Sequence, residues 1–65
     1  MRNVINIFNI TAGHAVSITF HFGKVIYACT SLEAAESIAK RWKKAFGDAI
    51  VDIFYFRSVN ELEEL

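Results

Sequence analysis

TSLEAAESIAKRWKKAFG, residues 30–47, sorts its side chains onto two faces. At about 100° per residue, Leu32, Ala34, Ala35, Ile38, Ala39, Trp42, Ala45 and Phe46 fall on one side and every charged residue falls on the other. The spacing predicts one amphipathic helix over residues 31–46. Thr30 and Glu33 have capping-box spacing, Gly47 suits a left-handed C-terminal cap, and acids precede bases along the axis, as the macrodipole favours. One such helix covers one face of a sheet. The fold therefore turns on how many apolar faces the remaining residues present.

Upstream, AVSITFHF (residues 15–22) alternates strictly, with Val16, Ile18, Phe20 and Phe22 on one face and Ser17, Thr19 and His21 on the other. This pattern predicts a half-buried strand. Gly23-Lys24 fits a two-residue hairpin turn with glycine first, leading into a strand over 25–29. Phe22 then pairs with Val25, Phe20 with Tyr27 and Ile18 with Cys29, while His21, Thr19 and Ser17 meet Ile26, Ala28 and Thr30. A slip of one residue would mix the faces.

Residues 3–10 and 49–57 also read as strands, but both are apolar on both faces. In the first, Val4, Phe8 and Ile10 oppose Ile5 and Ile7. In the second, AIVDIFYFR, Val51, Ile53 and Tyr55 oppose Ile50, Phe54 and Phe56. Strands of this kind are usually central and covered twice. A short turn at Ala12-Gly13 would pair Ile7 with Ile18 and Ile5 with Phe20. The favoured order is last strand, first, second, third, which makes the first strand central. Ser58 and Glu61 repeat the capping-box spacing, and Val59, Leu62 and Leu65 recur every three residues, predicting a short acidic helical turn over 59–65. The expected fold is a single α+β domain over residues 1–65: a four-stranded mixed sheet in the order β-β-β-α-β, with one amphipathic helix packed on one face.

A chain of 65 residues buries only about 60% of the surface it exposes when unfolded. Small domains usually add disulfides, a metal or a partner, yet Cys29 has no second cysteine to pair with. A hydrophobic fraction of 54%, with nine aromatic residues and no proline, points instead to association. Zero net charge gives no global attraction to nucleic acid or an anionic membrane. No apolar run approaches the roughly 18 residues that span a bilayer, and the first residues lack a signal-peptide pattern. With one unpaired thiol suited to a reducing compartment, a cytoplasmic location is expected.

Chemistry-bearing residues do not converge. His14 lies near a turn, His21 on the outer face and Cys29 on the core face, so no metal and no cofactor are expected. A nucleophile needs an exposed thiolate with a nearby base, whereas Cys29 points inward, and Glu33, Glu36 and the terminal glutamates occupy solvated faces. No glycine-rich phosphate loop is present. The reading is non-enzymatic.

Two surfaces remain as sites. The sheet face left bare by the helix would carry Val4, Phe8, Ile10, Ile26, Ile50, Phe54 and Phe56, a patch larger than monomers usually expose. Asn6, Thr19 and Asp52 would rim it, Asp52 also limiting uncontrolled edge pairing. A protein partner or a homodimer is expected there. In the competing reading, the acidic C-terminal turn folds back and covers part of the face with Val59, Leu62 and Leu65. The second surface is Lys40, Arg41, Lys43 and Lys44, with Lys24, an alternative contact for nucleic acid or an acidic partner. Those cations also complement the helix C-terminus, and Glu36 is placed to pair with Lys40.

The run Ile26-Tyr27-Ala28-Cys29-Thr30-Ser31-Leu32-Glu33-Ala34-Ala35, followed by Ala39 and by a strand ending in Arg57, resembles very small phage proteins. It is similar to the coliphage-encoded inhibitors of bacterial RNA polymerase and, more loosely, to small anti-CRISPR proteins. The resemblance implies a mode of action, a small non-enzymatic protein that occupies a surface of a larger host protein or complex. It also implies that an arginine on the last strand contributes to docking, and Arg57 is the matching position. The basic second half of the helix departs from the negatively charged strip of the polymerase inhibitors.

Overall fold

The computed structural model describes residues 3–65: a four-stranded mixed sheet with a long helix on one face and a single short helix on the other. In chain order the elements are β1 (Asn3–Ile5), β2 (Gly13–Phe20), β3 (Gly23–Cys29), α1 (Leu32–Ala45), β4 (Ile50–Phe56) and α2 (Val59–Glu63). The α+β class and the mixed four-stranded sheet are as the sequence predicts. The strand order is β1-β3-β2-β4, so β1 is an edge strand and β2 and β3 are central.

The hairpin register differs as well. Phe20 pairs with Gly23, Ile18 with Val25 and Val16 with Tyr27, so the two-residue turn is His21-Phe22 rather than Gly23-Lys24. Gly23 takes φ 143°, a region that side chains rarely adopt, just as the chain leaves the turn. The displacement is an even number of residues. Each residue therefore keeps its predicted face, and only its partner changes. Phe22 is the exception, lifted out of the core to the hairpin tip at 83% exposed.

β1 is short because its continuation is captured locally. The Asn6 side chain accepts from the Ile10 N–H at 2.8 Å and donates from Nδ2 to the Ile10 carbonyl at 2.9 Å. One amide thus satisfies both backbone groups of Ile10, as a neighbouring strand would. Asn9 adopts φ 51° and donates its N–H to the Asn6 carbonyl, completing a turn inside the stretch expected to be strand. β1 then pairs in parallel with β3 through Asn3–Val25, Val4–Ile26 and Ile5–Tyr27, and β4 pairs antiparallel with β2, from Gly13–Phe56 to Thr19–Ile50. The expected pairings of the first strand with the second and with the last do not form.

α1 begins one residue later than the capping-box reading has it. Ser31 is the N-cap, its Oγ accepting from the Ala34 N–H at 3.1 Å. At the other end Phe46 is the C-cap, its N–H donating to the Trp42 carbonyl at 2.7 Å, and Gly47 has no positive φ. Ala35 is buried with Val16, Ile18, Cys29 and Ala49, and Ala34, Ile38, Ala39 and Trp42 pack against that cluster. Leu32 and Phe46, expected on the core face, are 46% and 40% exposed, so the apolar stripe is narrower than predicted. Trp42 stacks on Phe46 and meets Phe20 at 5.2 Å between ring centroids, closing the hairpin end of this layer.

Candidate interaction surfaces

The sheet face opposite α1 is not bare. Ala15, Ile26, Ala28 and Phe56 form a second buried cluster roofed by Leu62 of α2, with Val4, Ile10 and Phe54 packed against it. Ile26, Phe56 and Leu62 are 0% exposed. Within the expected patch of Val4, Phe8, Ile10, Ile26, Ile50, Phe54 and Phe56, Ile26 and Phe56 are therefore corrected from exposed to buried, and Val4, Ile10 and Phe54 are half-buried. Of the competing reading, in which the acidic C-terminal turn covers part of the face with Val59, Leu62 and Leu65, the structure shows the Leu62 contact, while Leu65 is 42% exposed. Ile50 stays 63% exposed on that side, Arg57 is exposed just beyond β4, and Phe8 leaves the set because it lies in the loop after β1.

α2 can roof this cluster because its N-terminus is tied twice. The Ser58 Oγ accepts from the Asn60 N–H at 3.3 Å, and Glu61 Oε2 accepts from the Arg57 N–H at 2.6 Å. The Ser58–Glu61 spacing thus does cap the helix, with each bond displaced by one residue from the standard box. Five residues are too few to hold a helix unaided, so burial of Leu62 is what keeps it folded.

Apolar exposure concentrates on the two sides of α1 instead. On the β1 side, Ile5, Ile7, Phe8, Tyr27, Ala34 and Ile38 line a groove of about 210 Å³. Ile7 and Phe8 stand on its rim, 77% and 68% exposed. On the β4 side, Ala39, Lys40, Lys43, Val51 and Ile53 line a shallower cleft of about 380 Å³. Tyr55 follows along the same edge at 62% exposed, its ring meeting His14 edge-on at 5.5 Å.

Lys43 Nζ donates to the Ala49 carbonyl at 2.6 Å and, with Lys40, borders the β4 cleft, and Arg41 and Lys44 are exposed on the same helix. Lys24 is half-buried in β3, in register with Thr19.

Cys29 is 3% exposed, and burial raises its thiol pKa. His14 lies beside it in register on β2, and His21 is exposed in the hairpin turn. Among the described residues no three His, Cys, Asp or Glu side chains group as metal ligands, and no helix is long and apolar enough to cross a membrane. A buried thiol of raised pKa is a poor nucleophile.

Strand patterns alone do not reveal the groove, because alternation places Ile7 and Phe8 on opposite faces of a strand that stops at Ile5. The turn signal was nevertheless present in Asn6 and Asn9, residues that favour local backbone bonding and the left-handed region. Compared with known proteins, the chain matches no family model and has no significant match among curated proteins or solved structures.

Proposed function

We propose that this chain is a non-catalytic protein-binding module that acts by occupying a surface of a larger partner, docking through the groove between α1 and the loop after β1. The observation that carries the reading is the exposure of Ile7 and Phe8 beside a concave apolar surface. Adjacent large apolar side chains over a preformed groove are the usual anchors of protein interfaces. Full burial of each would contribute about 1.5–3 kcal/mol before the entropic cost of association. The same loop is held by the Asn6 clamp, so little ordering is needed on binding.

In its finer form the proposal is an inhibitor of a host machine in the cytoplasm, in the manner of the phage proteins the sequence resembles. Arg57 is exposed and available as a rim contact for such a partner. The test is affinity capture from a bacterial lysate with wild type and with Ile7→Asp/Phe8→Asp, after circular dichroism has established that the variant is folded. A captured protein that disappears with the folded variant supports the proposal. Equal capture by both proteins, or none by either, defeats it.

A further inference from the structure

Among the described residues β4 is bonded to β2 alone, so one side of its backbone, over all seven residues, has no partner strand there. Soluble proteins usually blunt such an edge with proline, lysine, a bulge or a short strand. This edge is IVDIFYF, with Asp52 as its one charge. Ile50, Ile53 and Tyr55 along it are 63%, 37% and 62% exposed. The groove near Ile7 lies on the other side of α1 and explains none of this.

We propose that β4 pairs antiparallel with β4 of a second copy about a two-fold axis at Ile53, joining two four-stranded sheets into one continuous sheet. In an antiparallel ladder paired residues share a face, so a two-fold axis perpendicular to the sheet must pass through a residue position. An axis at Asp52 sets that carboxylate against its own copy, a destabilising like-charge pair. Ile53 is the midpoint of Ile50–Phe56, and only there do all seven residues find partners.

The contacts at this register are complementary. Asp52 lies opposite Phe54, and Val51 lies opposite Tyr55 of the second copy. Val51 and Ile53 line the cleft beneath Ala39 and Lys43, so the second copy's Tyr55 arrives where the cleft is open. Ile50 comes opposite the second copy's Phe56, beside the roof that α2 provides.

Charge on α1 agrees with the same axis. β3 and β4 are both antiparallel to β2, so α1, which joins them, runs against β4. Glu36, Lys40 and Lys43 are spaced i, i+4, i+7 and share a stripe, and Lys40 and Lys43 place that stripe on the β4 edge. The axis makes the two α1 helices antiparallel, which brings Glu36 towards Lys43 of the second copy, twice. These two pairs offset the repulsion of the Lys40 residues nearest the axis.

The inference goes beyond the binding proposal and uses a separate surface, so either stands if the other falls. Its test combines light scattering of the wild type over a concentration series with disulfide trapping in a Cys29→Ala background. Ile53→Cys sits opposite its own copy, with Cβ atoms about 4.5–5.5 Å apart, whereas Asp52→Cys and Phe54→Cys face each other's positions and not their own. Dimers that are trapped about tenfold faster through Ile53→Cys than through either neighbour support the register. A monomer at every concentration, or trapping without preference for position 53, overturns it. Should the cysteine variants not fold, hydrogen exchange on the wild type decides. Protection of alternate β4 amides that grows with concentration is the supporting result, and unchanged β4 exchange the opposing one.

Discussion

Leu62 of α2 and Phe56 at the end of β4 are both wholly buried in one cluster, on the sheet face that α1 leaves open. A five-residue helix thereby does for one face what a fourteen-residue helix does for the other. Leu62→Ala removes the largest buried side chain of α2 and is expected to cost about 2–5 kcal/mol. A domain of this length has roughly 3–10 kcal/mol to lose, so the melting temperature should fall by about 8–40 °C, at about 4–8 °C for each kcal/mol. Leu65→Ala, at an exposed position, should change it little. Thermal unfolding followed by circular dichroism checks both, and equal effects would mean that α2 is not the roof.

Legibility followed the kind of pattern each element carries. α1 was readable because its period of 3.6 has no competitor over fourteen residues. Face assignments in β2 and β3 were readable because alternation is insensitive to even displacements, which is also why the turn was not: Ile18 is equally apolar against Cys29 or Val25. The place of β1 was hidden by composition. Val4, Ile5, Ile7, Phe8 and Ile10 look like a doubly covered central strand, yet Ile7 and Phe8 are on a rim and Ile10 packs under α2 only after Asn6 has turned the chain. Both interaction surfaces depend on which strands lie at the edges. Topology, more than any local pattern, therefore decides the candidate sites.

Ser31 and Thr30 compete for one role at the start of α1, and the structure gives it to Ser31. Ser31→Ala should lose the bond from the Ala34 N–H and cost about 1 kcal/mol. Thr30→Ala, outside the cap, should stay within about 0.5 kcal/mol of wild type. Urea unfolding of the two variants measures the difference, and a larger loss at Thr30 would restore the Thr30–Glu33 capping box.

Burial raises the Cys29 pKa above its ordinary value of 9.0 in the folded chain, and this fixes the sign of a pH effect. When the native pKa lies higher, the unfolded thiol releases its proton first, so the unfolded state binds fewer protons above pH 9. The thiol's contribution is intact below the unfolded value and is lost as pH rises from there towards the folded one. Stability should decline more steeply above pH 9 in wild type than in Cys29→Ala, read from urea midpoints across an alkaline series. Parallel curves would place the titrating group elsewhere. In the same range, thiol-specific reagents should modify the native protein far more slowly than the urea-unfolded one.

Gly13 and Gly47 exchange the roles that position alone would assign them. Gly13 has φ 153°, and a Cβ there would lie 3.1 Å from the Cys29 carbonyl oxygen and 3.4 Å from Ile10 Cγ2. It opens β2 beside the end of β3, where the Cys29 carbonyl would have to shift by a few tenths of an ångström to admit a Cβ. Gly13→Ala should therefore destabilise by more than about 1 kcal/mol, through strain and close contact together. Gly47 has an ordinary φ and open space around its missing Cβ. Gly47→Ala should be neutral or stabilise by up to about 1 kcal/mol, because it restricts the unfolded chain without disturbing the folded one. Paired denaturation curves test the contrast. A loss at Gly47 comparable to that at Gly13 would mean that the end of α1 needs glycine after all, as a left-handed cap requires.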